Sequence, residues 1–218
     1  MTALHVERPI WRRFAPRFLA RAIEHVRAGG LAAIVHDETR VDLVLPAEAG
    51  GALTTFAAWA LASLEHAGDT EPQEGPDSGL RSASVDFDQA LTILDWCDRD
   101  AVHPGPTRAM VLDCVACTAC CQDADVVVET GDLARLVAHG RADLASESHY
   151  RRDDEGRLHL RFLGSRCEHL GERGACAIYE ARYTACRAFP PGSEPCLAAR
   201  EDTLDVRDDA PDAREARE

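Results

Sequence analysis

Residues 113–123 read DCVACTACCQD and place four cysteines in a C-x-x-C-x-x-C-C pattern: Cys114, Cys117, Cys120 and Cys121. A two-residue spacer lets the chain wrap around one metal ion or cluster, because the thiolates converge while the intervening amides can donate to sulfur. Neighbouring side chains usually point apart, so the adjacent pair is suited to two metal atoms, or to one ligand and one supporting residue. The pattern predicts a thiolate metal site.

A second, sparser group of cysteines follows between residues 165 and 196. Its members are Cys167, Cys176, Cys186 and Cys196, with eight or nine residues in each gap. These gaps are too long for a local knuckle, but successive turns of this length can face one point. The group therefore offers the fourth ligand that a three-thiol loop lacks, and a metal that closes the long loop removes much chain entropy.

The ninth cysteine, Cys97, stands apart from both groups. It lies in the stretch DFDQALTILDWCDRD, where Leu91, Leu94 and Cys97 recur at helical spacing. This spacing is typical of a helix face packed on a core, and a thiol there acts as a small buried hydrophobic group. Cys97 is predicted to lie outside the metal site.

Composition excludes several classes of protein. The chain has 218 residues and a formal net charge of −14, which disfavours sequence-independent nucleic-acid binding because that function needs a dense array of cations. No apolar run is long enough to span a bilayer, so no membrane partner is expected. The basic N-terminus lacks the apolar stretch of a secretory signal, and a cytoplasmic location is predicted. Cysteines clustered in a cytoplasmic chain favour metal binding over disulfides.

Hydrophobic periodicity and turn residues predict an α+β fold. Residues 1–109 are predicted as an N-terminal helix-and-hairpin region of unassigned role. Its expected elements are a helix over 14–28, a hairpin over 31–46, a helix over 47–67, a loop over 69–84 and a helix over 88–99.

The remainder of the chain divides after the HPGPT sequence at residues 103–107. Residues 110–200 are predicted as a small, loop-rich, metal-stapled cysteine domain with a strand over 125–130, a helix over 131–140 and a strand over 157–163. Residues 201–218 contain eight acidic residues against three arginines and few large apolar groups. This composition predicts an acidic disordered tail.

Over residues 110–197 the sequence resembles the CxxCxxCC cysteine-cluster family, also called YkgJ-type, a zinc- or iron-chelating domain. The matching residues are Cys114-x-x-Cys117-x-x-Cys120-Cys121, Thr130 with Asp132, Cys167, Cys176-x-Ile178-Tyr179-Glu180-x-Arg182 and Cys186-Arg187-x-Phe189-Pro190. The resemblance implies a zinc or iron site at the seven cysteines from Cys114 to Cys186, and Cys196 is the eighth candidate ligand. Arg187 is the candidate to support the site by donating to sulfur or to an acidic partner.

The chain departs from the family pattern in two places. Tyr183 stands where a proline is usual after Arg182, and Ala116 and Ala119 stand where glycine is common near such clusters. Neither departure removes a thiol. His169, two residues after Cys167, is predicted as a surface histidine because eight thiols already exceed the needs of one site.

Zinc and iron remain equal alternatives on residue types, because both accept four thiolates. The C-x-x-C-x-x-C spacing resembles that of a 4Fe–4S ferredoxin loop, although Ala124 occupies the position of its next cysteine. An iron–sulfur redox or methyl-transfer-related enzyme is one alternative function, and a zinc-stapled adaptor for an unknown protein partner is the other. The spacing C-x-x-x-C-x-x-C of radical chemistry is absent, and a thiol–disulfide oxidoreductase is disfavoured since Cys114 and Cys117 lie in a crowded thiol loop.

Overall fold

A computed structural model describes residues 3–38, 40–46, 52–64, 71–72, 74, 79–122 and 124–207. Its architecture is α+β, as the sequence predicts. The chain forms two compact units. The N-terminal unit comprises His5–Met110 and Gly192–Pro195, and the cysteine unit comprises Val111–Pro191 and the described chain from Cys196 onward.

A five-stranded mixed sheet forms the centre of the N-terminal unit. The elements in chain order are β1 (Leu4–Pro9), β2 (Trp11–Phe14), α1 (Leu19–Arg27), β3 (Leu31–Val35), β4 (Val41–Pro46), α2 (Ala52–Ser63), β5 (Glu71–Pro72), β6 (Leu80–Val85), α3 (Phe87–Asp100) and β7 (Thr107–Leu112). The sheet order is β2-β3-β4-β6-β5, and β1 pairs with β7. β2 and β3 are parallel, and the other neighbours in the sheet are antiparallel. The predicted hairpin is confirmed as β3 and β4, with Ala33 opposite Leu43.

The pleat of the sheet divides the core of this unit into two clusters, one on each face. Alternate residues of β4 belong to different clusters: Val41 and Leu43 pack with α2 and α3, whereas Val44 packs with α1. The first cluster includes both Trp11 and Trp96. Because this cluster contains buried residues of both α2 and α3, the two helices lie on the same face of the sheet.

Two sequence predictions are wrong in this unit. The stretch predicted as a loop over 69–84 contains β6, whose Ala83 pairs with Leu43 of β4 and is buried. The helix predicted from residue 14 begins at Leu19, after a 3₁₀ turn at Pro16–Phe18, because Phe14 ends strand β2. Both errors arise because strand pairing with a distant partner overrides weak local signals.

A buried ion network closes the N-terminal unit. Arg8 is 2% exposed, donates to Asp100 Oδ1 at 2.8 Å and pairs with Glu194. Asp100 also accepts from the backbone N–H of Trp11 at 2.8 Å. The two carboxylates therefore offset the free-energy cost of burying the Arg8 guanidinium.

The cysteine unit is built from short elements. In chain order these are α4 (Cys114–Cys117), β8 (Val127–Val128), α5 (Thr130–Ala138), β9 (Tyr150–Arg152), β10 (Leu158–Leu160), β11 (Phe162–Leu163), β12 (Arg166–Cys167), α6 (Thr184–Ala188) and α7 (Glu194–Leu204), whose first two residues belong to the N-terminal unit. The strands form an antiparallel β8-β10-β9 sheet and a β11-β12 pair. Glu129 and Asp132 form a capping box at the start of α5.

The predicted disordered tail begins too early. α7 continues past Glu201 to Leu204, and Arg207 pairs with Glu201 at 3.3 Å. Residues 208–218 lie outside the described residues. No helix within the described ranges is both long and apolar enough to cross a membrane.

Candidate metal centre

The first cysteine loop is shaped by Asp113 and Thr118. Asp113 caps α4, and its Oδ1 accepts from the backbone N–H groups of Val115 and Ala116 at 3.0 and 3.1 Å. Thr118 adopts a left-handed conformation with φ of 56°, which ends α4 and starts the 3₁₀ turn Ala119–Cys121. The loop thus folds into two consecutive turns, each of which carries two of the four cysteines.

Gly174 allows the second cysteine group to approach this loop. It has a φ of +76°, and a side chain there would overlap the carbonyl oxygen of Val115 and the methyl group of Thr118. Glycine is common near such clusters at the positions of Ala116 and Ala119, and here a glycine on the opposite segment provides the close backbone approach.

A backbone bridge brings the two groups into register. Gln122 and Arg166 form an isolated antiparallel bridge, so Cys121, directly before Gln122, and Cys167, directly after Arg166, lie on opposite sides of the same pairing. A second bridge joins Leu170 to Cys176, and the Arg166 guanidinium donates to the carbonyls of Leu170 and Gly171 at 2.9 and 2.8 Å. These contacts hold the loop that carries Cys167 and Cys176 against the first one.

Cys121 is the electrostatic centre of the cluster. Burial raises the pKa values of several thiols, and the charge of Cys121 adds to the increase in each case. These thiols are Cys114, Cys167, Cys176 and Cys186. Burial and neighbouring thiols raise the pKa of Cys167 to about 11 and the pKa of Cys186 to about 12. Members of both cysteine groups are thus electrostatic neighbours of one sulfur.

The adjacent cysteines differ from each other. The Cys120 thiol hydrogen-bonds to Cys121, and this contact lowers the pKa of Cys121, which Arg182 also lowers while burial opposes the change. The same hydrogen bond raises the pKa of the exposed Cys120, and the nearby thiols of Cys196 and Cys114 add to the increase. Cys121 is therefore the thiol of the pair that ionises first, and the interaction of Cys120 with Cys196 joins the last cysteine to the cluster.

The charge of Arg182 acts on four of these thiols. Its charge lowers the pKa of Cys121 and opposes the increases at Cys114, Cys176 and Cys186. Its guanidinium lies 3.8 Å from the centroid of the Tyr179 ring, and its Nε donates to the Tyr179 carbonyl at 3.0 Å. Stacking and hydrogen bonding fix the side chain where thiolate charge would develop.

A second arginine, which the sequence analysis missed, contacts a cysteine directly. Arg200 is 8% exposed and donates from Nη1 to Cys117 Sγ at 3.5 Å, while its Nε donates to the carbonyl of Arg207. Arg200 lies four residues after Cys196 on α7, which places both on one helix face. That i, i+4 spacing was the available sequence signal.

Arg187 takes a different position from these two arginines. It is exposed on α6, and its support of the site stays a prediction. The prediction for His169 is wrong, because that residue is 6% exposed and its Nε2 lies 3.0 Å from the hydroxyl of Tyr183. Tyr183, at the position of the usual proline, is buried and also contacts the hydroxyl of Tyr150.

Cys97 lies in the other unit, as the sequence predicts. It is 2% exposed in the cluster formed with Trp96 and Ile93. Burial, with the nearby carboxylates of Asp100 and Asp98, raises the pKa of Cys97 to about 12. It is a core thiol and takes no part in the cluster.

The eight remaining cysteines are free and fit a thiophilic metal by donor type. Within the described residues, however, no three Cys, His, Asp or Glu side chains form a group that could hold a metal ion. The free sulfurs thus occupy one neighbourhood without the convergence of a coordination sphere. Ionised thiols repel one another, and a bound cation would relieve this repulsion by neutralising the thiolates.

Comparison with protein families identifies the segment that carries this cluster. Residues 113–207 match the CxxCxxCC family, whose description is "putative zinc- or iron-chelating domain". This stretch is similar to the CxxCxxCC domain. The match covers all eight clustered cysteines, Arg182 and Arg200, and it supports metal binding in general. Comparisons with curated proteins and with solved structures gave no match.

Proposed function

We propose that the CxxCxxCC domain binds zinc or iron through cysteine thiolates, with Cys121 as the central ligand. The observation that carries the proposal is the gathering of both cysteine groups around Cys121. The candidate ligands are Cys114, Cys117, Cys120, Cys121, Cys167, Cys176, Cys186 and Cys196. Thiolates at this density are the donor set that zinc and iron–sulfur centres use.

The positive charges of Arg182 and Arg200 support the same proposal. Four thiolates on one divalent ion leave a net charge of −2, which buried or stacked guanidinium groups offset. Arg182 is the partner of the Cys121 group, and Arg200 is the partner of Cys117. Their part is to hold positive charge beside the ligands.

Metal analysis of single-cysteine variants tests the proposal. Protein purified without oxygen is expected to retain zinc or iron, and Cys121→Ser is expected to lose it. Cys97→Ala is the matched control, because it removes a thiol from the other unit and should retain full metal content. A metal-free wild type, or a Cys121→Ser variant with normal content, would refute the proposal.

A second pair of variants tests whether the two groups share a centre. Cys117→Ser and Cys186→Ser remove one thiol from each group, and both should reduce metal retention. If only one variant loses metal, the groups serve separate centres.

The identity of the metal then separates the finer functions. Iron with matching acid-labile sulfide and a reducible brown chromophore would indicate an iron–sulfur centre and a redox or methyl-transfer role. Colourless protein with zinc that unfolds on chelation would indicate a structural staple for an adaptor that binds a protein partner.

A further inference from the structure

The N-terminal unit contains a cleft on the sheet face that packs against α1. Helices α2 and α3 both pack on the opposite face, whereas α1 is the helix of the smaller cluster. The cleft has a volume of about 170 Å³ and opens where α1, β4 and β6 meet. It is independent of the cysteines and of the metal proposed above.

The lining of the cleft combines an apolar wall with a polar edge. The apolar side chains are those of Pro16, Leu19, Ile23, Ile34, Val44 and Leu80. His36, Asp42 and Ser82 supply the polar atoms. A volume of this size corresponds to one six-membered ring, since an engineered cavity of about 150 Å³ binds benzene.

Asp42 organises the polar edge and is itself saturated. Its Oδ2 is 2.6 Å from His36 Nε2 and accepts from Arg40 at 3.0 Å. Its Oδ1 accepts from Ser84 Oγ at 2.7 Å and from Arg40 Nε at 3.2 Å. These contacts occupy the four lone-pair directions of the carboxylate and leave none for a ligand.

The charges at this edge favour a neutral ligand. An anion would face the Asp42 carboxylate, which hydrogen bonds from Arg40, Ser84 and His36 hold ionised. A cation would have to displace Arg40 from a bidentate contact. A neutral molecule is not repelled by the Asp42 carboxylate and does not have to displace Arg40.

The arrangement is suited to binding rather than hydrolysis. Ser84 donates to Asp42 instead of to the imidazole of His36, so the base that would activate a serine nucleophile is engaged elsewhere. A carboxylate oxygen can only accept, so Nε2 is the donor to Asp42 and Nδ1 is the ring nitrogen left to face a ligand hydroxyl. His36 can therefore accept a hydrogen bond from a hydroxyl group, and the Ser82 hydroxyl lines the same cleft.

We infer that this cleft binds a small neutral alcohol with an apolar ring or branched chain of about six carbon atoms. The ring packs against Ile34 and Val44, and the hydroxyl donates to His36 Nδ1. No bond is made or broken, so the site is a recognition site.

Phenol is the probe, and benzene is its matched analogue without the hydroxyl. In ¹H–¹⁵N correlation spectra of the full chain, phenol should give saturable shifts at β4, β6 and α1. A Kd on the order of 1 mM is expected for a ligand of about seven heavy atoms. Benzene should bind about five- to tenfold more weakly, since it lacks the hydrogen bond. Benzoate and benzylammonium should give no saturable shift.

Two variants with one control locate the binding. Leu19→Trp fills the cleft from a position that is 43% exposed, so it should abolish phenol binding without affecting the fold. Leu91→Trp makes the same change at a helix position that is 51% exposed and outside the lining, and it should bind phenol normally. His36→Phe should weaken phenol to the affinity of benzene and leave benzene unchanged.

Three results would overturn the inference. They are the absence of saturable shifts with phenol, equal affinities for phenol and benzene, and phenol binding by Leu19→Trp as tight as that by Leu91→Trp. None of these results depends on metal content, so the metal proposal stands or falls separately.

Discussion

The N-terminal unit and the cysteine unit differ in the length of their elements. The main sheet strands β2, β3, β4 and β6 of the N-terminal unit have four to six residues, and α3 has 14. Strands in the cysteine unit have two or three residues, and α4 and α6 have four and five. Elements this short are not stabilised by their own backbone hydrogen bonds.

The hydrophobic core of the N-terminal unit is also larger than that of the cysteine unit. The N-terminal unit buries aliphatic and aromatic groups on both faces of a sheet. The cysteine unit has a smaller cluster around Leu136 and Tyr183, against which Cys167, Cys176 and Cys186 pack. The N-terminal unit therefore has more apolar burial to stabilise it, whereas the cysteine unit combines a smaller apolar cluster with the hydrogen bonds of Asp132.

Removal of metal is expected to have the largest effect and to separate the units. Chelation under reducing conditions should withdraw on the order of 10 kcal/mol from the cysteine unit. Amide hydrogen exchange should then accelerate at Ala177 and Ala181 but not in β3 and β4. All three tryptophans lie at positions 11, 59 and 96, so tryptophan fluorescence should also stay unchanged. Equal loss of protection in both units would contradict the comparison.

Truncation of the N-terminal core comes next in size. Ile93 is fully buried, and Ile93→Ala should lower the free energy of unfolding of that unit by about 2–5 kcal/mol. Leu91→Ala, two positions away on α3 and 51% exposed, is the control and should change it by less than about 0.5 kcal/mol. Urea titration followed by tryptophan fluorescence measures both. Similar losses in the two variants would show that the core is not where the structure places it.

The hydrogen bonds of Asp132 form a polar network in the cysteine unit, and one isosteric substitution should weaken it. Asp132 is fully buried and its Oδ1 accepts from Arg135 Nη1 at 2.6 Å and from both N–H and Oγ1 of Thr184 at 2.7 Å. Asp132→Asn should cost about 1.5–3 kcal/mol, because charged hydrogen bonds are lost in a buried site. The control Asp143→Asn breaks an exposed pair with Arg141 and should leave stability unchanged. Near-ultraviolet circular dichroism of the three tyrosines, all in this unit, measures unfolding.

The smallest expected effect is the pH dependence of the stability that Asp132 gives to the cysteine unit. Burial raises the pKa of Asp132, but hydrogen bonds from Glu129, Thr184 and Arg135 outweigh it and hold the pKa below the ordinary 3.8. A depressed folded-state pKa gives stability that is present above the unfolded value and is lost as pH falls through the folded one. The stability difference between wild type and Asp132→Asn should therefore be constant above about pH 5 and shrink below about pH 4. A difference that grows on acidification would refute the assignment.

Much of the cysteine site was predictable because its ligand types are local signals. The C-x-x-C-x-x-C-C spacing, the second group and the separate status of Cys97 follow from residue order alone. The contact of Arg200 with Cys117 and the burial of His169 do not, because Cys117 lies 83 residues before Arg200 and His169 is buried against Tyr183.

The fold shows the same division. Local periodicity determined the hairpin of β3 and β4 and the helix α3, since both patterns reach across only a few residues. Tertiary structure decided that Leu80–Val85 is a strand, because its partner β4 lies over thirty residues earlier in the chain. It also decided that the two cysteine loops meet, because the bridge from Gln122 to Arg166 and the glycine at 174 bring distant segments together. Non-local backbone pairing has no signature in a short window of sequence, and that is the physical reason for the division.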